Sequence, residues 1–317
     1  MLKRIKNGTI SKEIGGFNPA YYPSELLWSI SKIEGLDQSG NLRKYRLFYT
    51  KNLHDELKKS NFFLLHPKIH ASDKQFGENT QSRLVLGLAN LLKVTNSPLV
   101  KELVSKTFLA LDSLPKLNVT SSVTKRKYKL PAYLYRNTRT PEAISGRSLD
   151  PNHEATLAAA YWMISDSKIL DKVASNRAKA MAKYYFFAAL DLAKSGRCLP
   201  LADQPDYIDS CDTRYNAFWM YWMLKMQPEL GSSISLDQLR GQYRVMSKNI
   251  KNFTSERIYP LKYQGIYPDP VEIITLLPAV QQFGSEYDLN KYIYRANAYY
   301  NFNSKKSPDW PITYLLP

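Results

Sequence analysis

Glycine is scarce in this chain, with 13 in 317 residues, and runs of strict apolar–polar alternation are rare. Both shortages argue against an extensive sheet and leave helix as the expected element. No window of about 18 apolar residues occurs, which excludes a membrane-spanning helix in this sequence. Cysteine occurs only at Cys198 and Cys211. With four histidines the two give no zinc-type spacing. His66 and His70, with Asp73 following, have a possible spacing but no helix to order it, so no metal is expected. There is no Gly-rich phosphate loop, no GxSxG elbow and no dinucleotide fingerprint, and no cofactor is expected. The basic start Met1 to Lys6 lacks the apolar stretch of a signal peptide.

What is present begins with size and charge. The chain is long enough to bury a large core, and its apolar fraction of 44% excludes wholesale disorder. The formal charge is +16, a field that favours polyanionic partners. The basic residues are spread out, and the densest run, Lys125-Arg126-Lys127 with Lys129, falls in an expected loop. No zinc-finger, RRM or basic-zipper pattern accompanies them, which argues against nucleic acid. The 23 tyrosines offer flat faces with polar tips, suited to sugar clefts as well as to cores. Charge and tyrosine together point to an anionic polysaccharide. Cys198 and Cys211 flank a short Pro- and Asp-bearing loop, and a bridge between them would stabilise by about 3 kcal/mol. Such a pair favours an oxidising compartment. The expected location is periplasmic or secreted, with cytoplasmic left open.

One local design recurs four times: a polar cluster leads directly into a helix that is apolar on nearly every side. The clusters are Gly77 to Thr80 before Leu84–Leu92, Asp150 to His153 before Leu157–Ile164, Asp212 to Tyr215 before Phe218–Met226, and Tyr267 to Pro270 before Val271–Leu277. A helix apolar all round must be buried all round. Between these helices run amphipathic ones, with stripes such as Leu99, Val100, Leu103, Val104, Phe108 and Leu111. Asp150-Pro151 has the grammar of a helix start, an Asp cap followed by Pro at the first position. Gly196 is placed to end the helix that begins near Ile169. Pro278 is placed to bend the last apolar helix. Pro115 to Arg147 reads as one long basic loop.

Apolar helices alternating with amphipathic ones, about 55 to 75 residues per unit, imply an inner and an outer layer of stacked repeats. The expected fold is all-α: a complete or incomplete (α/α) toroid over residues 76–317, with residues 1–75 as an N-terminal arm or a first helical pair packed on it. An open α-solenoid is the runner-up. Over residues 76 to 303 the pattern resembles the toroids of polysaccharide lyases, glycoside hydrolases and uronyl epimerases. The resemblance implies that the inner-helix starts and the loops before them form a sugar cleft.

The candidate chemistry sits at those starts. His153, in the first turn of an apolar helix, suits a base that removes the C5 proton of a uronic acid. Tyr215 suits the proton donor, or a base if its pKa is lowered by Arg214. Asn152 and Arg214 are placed to bind a substrate carboxylate, whose neutralisation acidifies the adjacent C–H. Asp150, Asp212 and Asp269 stand where caps stand, but two carboxylates on one cleft would make a glycosidase pair. Glu272 joins them as an acid in an otherwise apolar helix. Trp219 belongs to an aromatic run that reads mainly as core, with one face open to a sugar ring. The second and third starts carry the versatile side chains, and the first reads as structural. The leading expectation is β-elimination on a uronic-acid-containing glycan. A paired-carboxylate hydrolase is second, and a non-catalytic helical module that binds an acidic partner is third.

Overall fold

The first three of the all-round apolar helices form the interior of the molecule, as their composition requires. A computed structural model of the chain describes residues 23–65, 74–205, 213–251, 270–290 and 292–293. Among these residues the long helices are α1 (Pro23–Ile33), α2 (Asn41–Lys59), α3 (Glu78–Val94), α4 (Pro98–Asp112), α5 (Pro151–Ser165), α6 (Lys172–Asp191), α7 (Thr213–Leu230), α8 (Leu236–Lys251) and α9 (Pro270–Phe283).

The odd-numbered helices pack in sequence, α1 on α3, α3 on α5, α5 on α7 and α7 on α9. They form an inner layer. In α3 every residue from Gln81 to Leu91 is buried, and in α5 every residue from Glu154 to Tyr161 is. The even-numbered helices lie outside and bury one stripe each, such as Val100, Leu103, Val104, Thr107, Phe108 and Leu111 of α4. The most extensive pairing joins α5 to α6. There Ala155, Ala158, Ala159, Ala178, Ala182 and Ala189 are all buried and let the two backbones approach closely. Each larger apolar side chain buried between the layers, such as Leu103 or Phe108, contributes roughly 1.5–3 kcal/mol.

The helix ends follow local chemistry. Asp150 accepts from the backbone N–H groups of Asn152 and His153, with Pro151 at the first helical position. Ser97 and Asp171 cap α4 and α6 in the same way. Ser235 and Gln238 cap α8 reciprocally, Gln238 N–H to Ser235 Oγ and Ser235 N–H to Gln238 Oε1. Helix α6 starts three residues later than expected. A short 3-10 turn follows it, Leu192–Ser195, closed by Gly196 at φ +66°. Pro278 lies inside α9.

The segment from Pro115 to Arg147 is not a loop but a set of short strands. β2 (Lys116–Thr120) and β3 (Lys127–Pro131) form an antiparallel hairpin. β4 (Leu134–Arg136) pairs with β1 (Gln75–Gly77) and with β5 (Glu142–Ala143). In β3, Tyr128 and Leu130 are buried between exposed lysines, a period-2 pattern too short to register against the helical background. Because β1 leads straight into α3, the β1–β4 pairing ties this layer to an inner-helix start.

Inner helices alternate with returning outer helices, so every inner helix begins at the same end of the molecule. The strands cover that end, between the close of α4 and the start of α5. No described helix is long and apolar enough to cross a membrane.

Candidate active site at the inner-helix starts

At the start of α5 the chain buries four ionisable groups beside a fifth. The Arg147 side chain is fully buried, and so are those of Glu78 and Glu154. Arg147 donates to Glu154 Oε1 at 2.5 Å and to Glu78 Oε2 at 3.4 Å. Glu154 Oε2 also accepts from the Asp150 backbone N–H at 2.7 Å. His153 completes the group, its Nδ1 3.0 Å from Glu78 Oε2 and its Nε2 3.6 Å from Asp150 Oδ2. Tyr133 supplies one wall. Its ring lies 4.4 Å below the Arg147 guanidinium and edge-on to the His153 ring at 5.3 Å. Its hydroxyl pairs with Ser148 Oγ at 2.9 Å, which also accepts from Gln204.

Three carboxylates face one permanent cation, so the cluster retains a proton. Burial opposes a charged His153, but the Asp150 and Glu78 carboxylates outweigh it and raise the imidazole pKa above 6.5. Burial also pushes Glu154 up to about 7, against the pull of Arg147. Tyr133 is pushed up to about 12, first by burial and then by Asp150, so its phenol stays neutral. Glu78 Oε1 and Arg147 Nε are buried without hydrogen-bond partners. Burying this much charge costs several kcal/mol per ion before pairing. Among the imidazole, the arginine and the three carboxylates, His153 is the most open, with 17% of its side chain exposed.

Among the residues singled out from sequence, Asp150, Asn152 and His153 come together in the first turn of α5. Asn152 is 4% exposed. Tyr215 is half-buried in the first turn of α7, and no described contact joins it to His153. Trp219 is buried, its indole N–H bonded to Ala189 O at 2.8 Å, and lines a cavity with Phe187 and Leu239. Asp212, Asp269 and Cys211, with His66, His70 and Asp73, lie outside the described residues, as do the side chains of Arg214 and Glu272. Cys198 Sγ lies 3.7 Å from Asn216 Oδ1. Asn216 clamps Leu199 through both its amide atoms and so pins this loop to α7.

The structure joins the first start to the second, through Glu78 and Arg147, which the sequence reading passed over. The signals were present: an acid at the head of an apolar helix, and an arginine three residues ahead of the Asp150 cap. Arg83 of α3 adds a link to α7, lying 4.8 Å from the Phe218 ring. Among the described residues no group of three or more His, Cys, Asp or Glu is placed to hold a metal.

Known structures share this architecture. The chain is similar to the cellobiose 2-epimerase of Spirochaeta thermophila DSM 6192 at TM-score 0.62 and 12% identity, over 91% of this chain and 74% of that one. The fold is an (α/α) toroid. A sugar epimerase from a ruminal bacterium matches at 0.60 and 12% identity, over 91% and 76%. The cellobiose 2-epimerase of Bacillus thermoamylovorans B4167 matches at 0.59 and 13%, again over 91% and 76%. No family model and no curated protein matches the sequence. The toroid explains the site's position: the described inner helices present their N-termini, with their partial positive charge, to one end.

Proposed function

We propose that the chain is a carbohydrate-active enzyme that moves a proton at a carbon next to a carboxylate or carbonyl, with His153 as the proton carrier. The observation that carries this reading is the Glu78–His153 contact of 3.0 Å at a buried, charge-rich helix start. Nδ1 also lies 3.1 Å from Arg147 Nη1; in the tautomer in which Nδ1–H donates to Glu78, Nε2 is left to exchange the proton. Nothing in a structural core requires three buried carboxylates around one arginine, and apolar residues of similar volume would be at least as stable.

The reaction that fits the chain's charge is β-elimination on a uronic-acid glycan. His153 Nε2 takes the C5 proton, the C4–O bond breaks as the C4–C5 double bond forms, and Tyr215 protonates the departing oxygen. Asn152 and Arg214 hold the carboxylate. A second reading, sugar epimerisation, is favoured by the proteins of like fold. It uses the same proton abstraction and returns the proton to the opposite face. A hydrolase using two of Asp150, Asp212, Asp269 and Glu272 is the remaining enzymatic alternative. A Cys198–Cys211 bridge and an exported location belong to the proposal as well.

Incubation with polygalacturonate, followed by ultraviolet absorbance of the unsaturated product, tests elimination. Solvent deuterium incorporation into cellobiose tests epimerisation, and new reducing ends without unsaturation would mark hydrolysis. His153→Ala is expected to lower either proton-transfer activity at least about 100-fold. Full activity in that variant would remove His153 from the mechanism.

A further inference from the structure

The β2–β3 hairpin carries a strip of cations that the site does not use. Its pairing sets Lys127 opposite Thr120 and Lys129 opposite Asn118. Directly paired residues share a face of the ribbon, and all four of these are exposed. Val119, Tyr128 and Leu130 occupy the other face and are buried. Lys125 and Arg126 continue the strip around an exposed tip. None of these four cations has an ion-pair partner among the described residues, whereas the surface acids Glu56, Glu102 and Asp237 are each paired with a lysine or arginine.

The hairpin is held rigidly. Thr124 Oγ1 donates to the buried carboxylate of Asp191 at 2.6 Å, and the Ser122 backbone N–H donates to Asp203 at 2.8 Å, with the Ser122 hydroxyl donating to the same carboxylate. Lys129 N–H donates to Tyr184 Oη at 2.6 Å. The two acids at the tip are thus spent on anchoring, not on neutralising the cations. Like charges fixed close together raise the energy of the fold, a cost that an anionic partner offsets. The tip lies where α6 ends, at the end of the toroid where the inner helices begin. Four residues beyond Lys129 the chain reaches Tyr133, against His153.

We propose that the outward face of the β2–β3 hairpin docks a polyanionic glycan and delivers it to the neighbouring site. This rests on the carbohydrate reading above and names its substrate class. Lys127 and Lys129 lie about 7 Å apart along the strand, and their long, flexible side chains can reach anionic groups repeated along a sugar chain. Their uncharged neighbours Thr120 and Asn118 offer hydroxyl and amide groups to sugar hydroxyls. Among the hairpin's own residues no aromatic ring is exposed on which a base could stack, since Tyr128 is turned inward. That favours glycan over nucleic acid.

The test measures binding of polygalacturonate, neutral dextran and a single-stranded oligonucleotide to the full chain over a series of salt concentrations. It uses the combined Arg126→Ser, Lys127→Ser, Lys129→Ser variant. The control removes the same charge from the outer layer through Lys168→Ser, Lys172→Ser and Lys179→Ser. The hairpin variant is expected to bind polygalacturonate at least tenfold more weakly with a flatter salt dependence, and Lys127→Arg with Lys129→Arg to bind as the parent does. Equal weakening in the control, or dextran bound as tightly as polygalacturonate, overturns the proposal. So does tighter, hairpin-dependent binding of the oligonucleotide. Binding is repeated in His153→Ala. In that variant binding is expected to stay hairpin-dependent, and hairpin-dependent binding by a parent chain that itself turns over no glycan supports the docking strip and removes the catalytic reading. Glycan turnover with an unchanged KM in the hairpin variant does the reverse.

Discussion

The Arg147 cluster and the β2–β3 hairpin sit at the same end of the toroid and treat charge in opposite ways. In the cluster, Arg147, Glu78 and Glu154 have no side-chain exposure and each is paired. In the hairpin, Lys125, Arg126, Lys127 and Lys129 are all exposed. Charges withdrawn from water are held in one geometry, and removing one strands the others. Charges left in water keep their hydration, cost little when replaced and act at a distance that salt controls. The first arrangement suits positioning a proton carrier, and the second suits attracting a substrate.

The comparison breaks first at Arg147. Arg147→Met is expected to destabilise the fold by about 3–5 kcal/mol, because Glu78 and Glu154 are left buried without a cation. Urea unfolding measures this, and a loss under 1 kcal/mol would mean that the cluster is hydrated. The next effect is on pH. Folding raises the pKa of Glu154 from 4.5 to about 7 and that of His153 above 6.5. The folded chain therefore binds more protons than the unfolded chain across this range, and stability falls as pH rises. The loss begins above about pH 4.5 for Glu154 and continues above 6.5 for His153. Melting temperature measured from pH 5 to 8 should fall from this cause, and His153→Gln should flatten the upper part of the curve. An unchanged slope in that variant would place the retained proton elsewhere. The smallest effect is at the hairpin, where Lys127→Ser with Lys129→Ser should change stability by no more than about 0.5 kcal/mol. A larger loss would make these lysines structural.

Much of the architecture was legible in the chain. Helices α3, α5 and α7 were readable because being apolar on nearly every side has one stable outcome, burial on nearly every side. The Asp150-Pro151 start was readable because a cap is decided by neighbouring residues. The β2–β3 hairpin was missed because Tyr128 and Leu130 supply too few alternations to outweigh Pro131 and the lysines around them. Glu78 was read as part of a structural start because its partner His153 is 75 residues away in sequence, and no local rule connects the two. Arg147 was hidden for the same reason, inside a stretch that read as loop.

The sequence alone determined the layering, since apolar surface must be removed from water and its periodicity states how much of each helix that involves. It also determined the net charge and the helix starts. Only the tertiary structure decided which starts meet. It put Glu78 and His153 on adjacent inner helices, placed Arg147 between two carboxylates, and anchored the basic hairpin to Asp191 and Asp203. Electrostatic energy depends on distance through space and on distance from water, and neither quantity is set until the layers have packed.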